Sequence, residues 1–411
     1  MEKNSSILNL YCWLLLVFIN FLTAQKNELI CREVNELINS SIEKGAFPGA
    51  QVFLKIDNEI VINKSYGFHT YDSITQVDNN HIYDLASLTK VFGPTISLMK
   101  IFDDYKINPH EPISNYVSEL KKSNKKNTTF HEALSHSGGW IPYINHQQNI
   151  LKKNGNYKKR FVRTEPNNKF SVAITENLFL KESFQKKIYK KIKRSKINKP
   201  GQYLYSGLFF FYVPKIIENL TGLSYSDYLK NNFYNNLINN NLTFKPENKL
   251  LVVPTEIDEY FRKSLVHGSV HDEASSFFSG LSGNAGLFGN AESIGELIRN
   301  LETWSNGQKI FNNNTIEKFT KYATNNLDNP RGLGFDKPTR NNTNEYPHKD
   351  VSPKSFGHTG FTGTFFWVDP ELKMSLVFLT NRVYPSRKNL KLYDLDVRKK
   401  LLEIIIKHSK N

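Results

Sequence analysis

The sequence predicts an α+β fold in which one antiparallel sheet is built from the N- and C-terminal segments, flanked by helices, with a mostly helical lobe inserted between them. Three observations carry that prediction. Near the start, Ala50–Ile56 and Ile60–Gly67 are β-rich runs joined by Asp57-Asn58, a hairpin turn. Near the end, Gly363–Val368 and Met374–Thr380 flank Asp369-Pro370-Glu371-Leu372, a turn with proline at its favoured second position. Between these ends the apolar residues recur mainly at helical spacing, with no internal repeat.

The elements follow in order. Lys26–Lys44 carries Leu29, Val34, Leu37, Ile38 and Ile42 on a helical pattern. The next helix spans Ser87 to about Asp103, with Leu88, Val91, Phe92, Ile96, Met99 and Ile101 as its apolar residues. Gly93-Pro94 lies inside it, so the proline frees a backbone acceptor near Lys90 and is expected to kink or shorten the helix. Lys121–Thr129 and Leu151–Lys169 read as polar loops. Lys186–Lys199 is basic but interrupted by Ile188, Tyr189, Ile192 and Ile197, the pattern of a solvated helix edge. Leu208–Leu220 and Ser226–Phe233 read as helices, the first ended by Thr221-Gly222. Gly280–Gly289 reads as flexible, Glu292–Trp304 as a helix, and Leu390–Lys407 as a final amphipathic helix. The division expected is a leader over 1–24 and one domain over 25–411. Its α/β part covers about 40–86 and 325–411, its helical part about 87–324.

At 39% hydrophobic and 13% aromatic, the 411 residues form a folded globule and not a disordered chain. Lys and Arg outnumber Asp and Glu by 54 to 39, a net charge of +15. That surplus fits either an anionic envelope surface as partner or a solvated lysine-rich exterior. Lys3, the apolar run Ile7–Phe21 and Leu22-Thr23-Ala24 read as an export signal, with an uncleaved anchor as the alternative. The expected location is therefore the periplasm or cell envelope. Export and the scatter of the lysines argue against nucleic acid. Cys12 lies in the signal and Cys31 is the other cysteine, so neither an internal disulfide nor a cysteine-based metal site is expected. The oligomeric state is not legible.

The chemistry resides in Ser87-Leu88-Thr89-Lys90. A serine hydroxyl is a poor nucleophile until a neighbour takes its proton, and at i and i+3 of a helix an amine reaches the hydroxyl. Tyr205-Ser206 and His358-Thr359-Gly360 follow in the order of a three-part serine-hydrolase site. Rival constellations are weaker. His131-Glu132-Ala133-Leu134-Ser135-His136 spaces its histidines five apart, off one helical face. His267 and His271 are four apart, but Gly268 between them disfavours a helix. Gly280–Gly289 lacks the lysine of a phosphate loop. Neither metal nor cofactor is expected.

The chain resembles class C-type β-lactamases, penicillin-binding D-alanyl-D-alanine peptidases and related serine esterases. The resemblance runs through Asp84–Lys90, Leu134–Gly139, Tyr203–Ser206, Asn284–Gly289 and His358–Thr364. Val270–Glu273 and Arg331–Pro338 add a likeness to the β-lactamase-like part that some bacteria carry fused behind a family 3 glycoside hydrolase. The resemblance implies the β-lactamase/transpeptidase-like version of the fold and an acyl-enzyme mechanism. Ser87 becomes the nucleophile, Lys90 its buried base, and Tyr205 the group that shares and delivers the proton. The backbone amides of Ser87 and Phe361 become the oxyanion hole. His358, where many relatives have lysine, would orient a substrate carboxylate, hydrogen-bond Tyr205, or both, and would carry charge only in part at neutral pH. Ser206, Thr359 and Gly360 line the substrate. Gly207 departs from the family's usual Tyr-x-Asn, whose asparagine contacts the substrate amide, so amides are expected to be held less well than esters. The expected substrate is a small molecule or peptidoglycan-derived: D-Ala peptides or small esters. The alternatives are a true β-lactamase and a non-catalytic penicillin- or peptidoglycan-binding module.

Overall fold

The computed structural model describes residues 24–305, 308–341 and 345–409. The expected export signal lies, but for Ala24, outside them. Among the described residues no helix is long and apolar enough to cross a membrane.

Both predicted hairpins form. Asp57 (φ +49°) and Asn58 (φ +74°) occupy the left-handed region that a tight two-residue turn demands of both positions, and these residue types tolerate it. The turn joins β1 (Gly49–Ile56) to β2 (Glu59–Gly67). The C-terminal strands are β3 (Phe356–Thr359), β4 (Phe365–Asp369) and β5 (Met374–Thr380). They assemble in the order β3-β4-β5-β1-β2. β1 pairs antiparallel with β5 from Ala50 opposite Thr380 to Ile56 opposite Met374, so the two ends of the chain close one sheet.

Alternation along the strands gives the sheet two apolar faces. Val52, Leu54, Trp367 and Phe378 pack against the helix over 24–43 and the C-terminal helix Val397–Ser409. Phe53, Phe366, Val368 and Leu379 join the larger core of the helical segments. There the Phe366 ring packs tilted against Phe92, centroids 4.8 Å apart, which ties the sheet to the helix carrying Ser87. The helix Phe184–Arg194 buries Ile188 and Ile192 and turns its lysines outward.

Pro94 does not shorten the helix. The backbone widens into a π-turn over Val91–Thr95 and continues as α-helix Ile96–Asp104. The Lys90 carbonyl that proline cannot bond accepts the Thr95 hydroxyl at 2.8 Å. Three other expectations are corrected. Gly280–Gly289 is packed, because its glycines permit close approach: a side chain at Gly283 would overlap the Phe210 carbonyl. The C-terminal helix divides into Lys391–Asp394 and Val397–Ser409 at Asp396, whose φ is +52°. The strand expected from Gly363 begins at Phe365, because residues 360–364 form a turn at the site.

Thr95→Val should remove the hydroxyl contact to the Lys90 carbonyl and cost about 1 kcal/mol in urea denaturation. Unchanged stability would show that the hydroxyl is dispensable to the π-turn.

Candidate active site

Ser87 is placed by the turn before it. Asp84, buried, accepts the Ala86 amide at 2.8 Å on one carboxylate oxygen and the His271 amide at 2.6 Å on the other. Ala86 is thereby held at φ +47°, a left-handed conformation that a non-glycine residue adopts at a cost of about 1–3 kcal/mol. This sharp corner sets Ser87 in the first turn of its helix, where amides have no intrahelical acceptor. The turn is clamped from the sheet side: Thr362 Oγ1 donates to the Asp84 carbonyl at 2.8 Å and Thr364 Oγ1 to the Leu85 carbonyl at 3.0 Å. Gly360 permits that approach, since a Cβ there would overlap Thr364 Oγ1 and lie 2.8 Å from the Leu85 carbonyl oxygen.

Lys90 Nζ lies 2.9 Å from Ser87 Oγ and 2.8 Å from the Asn284 carbonyl oxygen. The residue is 2% exposed, and its remaining surroundings are the rings of Tyr205 and Phe210 at 5.6 and 5.7 Å. Burial lowers its pKa to about 7, with Arg331 adding and Asp272 opposing. The Tyr205 phenol hydrogen-bonds the Ser87 side chain; burial raises its pKa, while Ser87 and Arg331 pull it back. At neutral pH the phenol is therefore protonated and the amine is the available base.

Tyr205 is fixed by a short zipper. Leu204 N donates to the His136 carbonyl at 2.9 Å and Ser206 N to His136 Nδ1 at 3.2 Å. The His136 ring lies 4.4 Å from the phenol ring. The histidine that failed as a metal ligand thus braces the tyrosine. Ser206 belongs to this zipper too. Its hydroxyl donates to the Ile141 carbonyl at 2.7 Å, so it supports the site from behind and does not face a substrate.

His358 is a correction. It is 2% exposed on β3, and its Nδ1 donates to the Thr359 carbonyl at 2.8 Å. Burial first, then Arg331 and Lys90, hold its pKa well below the ordinary value, so the imidazole is neutral. Its ring lies 6.2 Å from that of Tyr205 with no hydrogen bond between the side chains among the described residues. A partly charged carboxylate receptor is not what this environment makes. Thr359 is half-buried and Gly360 buried, both at the edge of the sheet nearest Ser87. Phe361 follows in the turn. Its amide bonds to no described residue, and its 48% exposed side chain stacks on His271 with ring centroids 5.6 Å apart.

The residues missed at the sequence level include Arg331. Fully buried and ion-paired with Asp336, its guanidinium sits 5.8 Å above the Tyr205 ring. The only signal was Arg and Asp bracketing a glycine-rich turn. Ser87, Lys90, Tyr205, Asn284 and Phe361 share a cleft of about 570 Å³, with Arg387 at its mouth paired to Glu256 and Glu273. Among the described residues no cluster of metal-ligating side chains forms.

A serine, a buried amine and a phenol joined by hydrogen bonds in one cleft are the arrangement of a serine hydrolase. The comparisons agree: the family described as Beta-lactamase matches residues 34–399, and the chain belongs to it. A relative from Escherichia coli O157:H7, described as "Putative D-alanyl-D-alanine carboxypeptidase", is 27% identical over 388 residues, 85% of this chain and 82% of its own. Among solved structures, EstCE1, "a hydrolase with promiscuous acyltransferase activity", superposes with a TM-score of 0.66 at 14% identity, covering 90% of this chain and 98% of its own. A class C beta lactamase superposes with a TM-score of 0.64 at 15% identity, covering 93% and 98%. These two show the fold alone.

Because Lys90 must be neutral to accept a proton, kcat/KM should rise with pH through an apparent pKa near 7 and be lost below it. Rates measured from acid to mildly alkaline pH check this; a flat profile across neutrality would contradict it.

Proposed function

We propose that this protein is an exported hydrolase that forms an acyl-enzyme on Ser87, acting on cell-wall-type D-Ala peptides or small esters. The observation that carries the reading is the Ser87–Lys90 contact of 2.9 Å, made in a buried place where the amine is depressed to about 7.

The chemistry follows from the contacts. Neutral Lys90 takes the Ser87 proton as Oγ attacks the substrate carbonyl. The developing oxyanion is met by the Ser87 and Phe361 amides, whose value lies in being fixed before the reaction. The phenol of Tyr205 then donates its proton to the leaving amine or alkoxide and recovers one from the Lys90 ammonium. Water attacks the ester by the same route in reverse, restoring Ser87. His358, neutral with its proton on Nδ1, makes no hydrogen bond to this relay.

The D-Ala assignment is supported by the description of the Escherichia coli relative as a D-alanyl-D-alanine carboxypeptidase. Export is supported by the apolar run Ile7–Phe21. The proposed organisation keeps the sheet-forming ends, about 40–86 and 325–411, as one part and the helical 87–324 as the other.

Fluorescent penicillin or a fluorophosphonate should label the wild type at Ser87 and leave Ser87→Ala unlabelled, read by mass spectrometry of the labelled peptide. Lys90→Ala should slow labelling by about 10²–10⁴-fold. Equal labelling of Ser87→Ala would reject the reading. Rapid nitrocefin turnover would instead make the protein a true β-lactamase.

A further inference from the structure

Gly207 and Asn284 occupy one place. A Cβ built on Gly207 would overlap the Asn284 side-chain oxygen and lie 3.1 Å from its Cγ. The carboxamide of a distant loop therefore fills the space where a side chain two residues after Tyr205 would project. Asn284 is not there merely to pack. Its backbone carbonyl accepts Lys90 Nζ at 2.8 Å, and its amide is braced by Ser282 Oγ at 3.2 Å. Its side chain, half-buried, makes no hydrogen bond with any described residue and lines the cleft with Ser87, Lys90 and Tyr205. A carboxamide left unpaired at the wall of a cleft is a donor and an acceptor awaiting a partner.

We infer that Asn284 is the specificity-determining residue of this cleft, its carboxamide pairing with a secondary amide beside the carbonyl that Ser87 attacks. The inference rests on the acyl-enzyme reading and names its substrate class: N-acylated amino-acid or peptide acyl donors over simple carboxylic esters. A carboxamide is complementary to a peptide unit, one edge donating to C=O and the other accepting from N–H. A substrate lacking that unit leaves both atoms unpaired, which is the situation in which polar sites discriminate best. It also reverses the expectation drawn from Gly207 alone. The glycine is the consequence of a carboxamide delivered from residue 284, not a gap in the site. The packed glycine loop gains a purpose: it holds Asn284 against Lys90 and Gly207 at once.

The test compares two donors with the same leaving group, N-acetyl-D-alanine p-nitrophenyl ester and p-nitrophenyl propionate, using the full chain. Wild type should favour the amide-bearing ester by kcat/KM. Asn284→Ala should lower the ratio of the two constants about 10–100-fold. Gly207→Asn alone should also lose the preference, because two carboxamides cannot share the space. In the Asn284→Ala background Gly207→Asn should restore it, which a purely structural role would not do. Fluorophosphonate labelling of Ser87 in every variant reports whether the nucleophile is intact. Labelled variants with an unchanged ratio, or a double variant without recovery, would overturn the inference while leaving the acyl-enzyme reading standing. A wild type that resists labelling would overturn both.

Discussion

The amine of Lys90 has two hydrogen-bond partners, Ser87 Oγ and the Asn284 carbonyl, in a place that water scarcely reaches. An ammonium has three donors and, buried, wants a carboxylate; among the described residues Lys90 forms no ion pair. A neutral amine fits the same place better. One N–H goes to the Asn284 carbonyl, and its lone pair accepts the serine proton. In the proposed mechanism, the geometry that makes the charged form costly is what makes the hydroxyl reactive.

Much of the molecule can be understood as the support this arrangement requires. The serine must stand at the head of its helix, which places strain at Ala86; the Asp84 carboxylate and the hydroxyls of Thr362 and Thr364 hold that strain from opposite sides. The proline in the following turn threatens the Lys90 carbonyl, and Thr95 satisfies it. The tyrosine has no regular element of its own, so His136 and Ser206 zipper it to a neighbouring loop. The first and last of these solutions link segments far apart in sequence, which is why sheet strands from both ends of the chain must close before the site exists.

Legibility in the sequence followed the range of the interaction. The hairpins were readable because alternation and Asp57-Asn58 or Asp369-Pro370 are local signals, and Met374–Thr380 was readable to the residue. Ser87, Lys90 and Tyr205 stood out through motif order. His358 did not reveal its neutrality, because a pKa is set by what surrounds a ring and not by the residues beside it in sequence. Gly280–Gly289 was misread since glycine signals freedom and close approach alike, and only neighbours such as the Phe210 and Phe244 carbonyls distinguish them. Asn284 carried no local mark of its role, and Arg331 only its place at a glycine-rich turn.

The claim on which everything else turns is that a lysine beside the serine loses its charge near neutrality. Direct titration of the Lys90 side chain by NMR, with lysine labelled at the ε-carbon and Lys90→Ala for assignment, measures it. The account predicts a midpoint near 7 for this one lysine. A resonance that stays in its charged position until the pH of ordinary lysines, about 10, would contradict it.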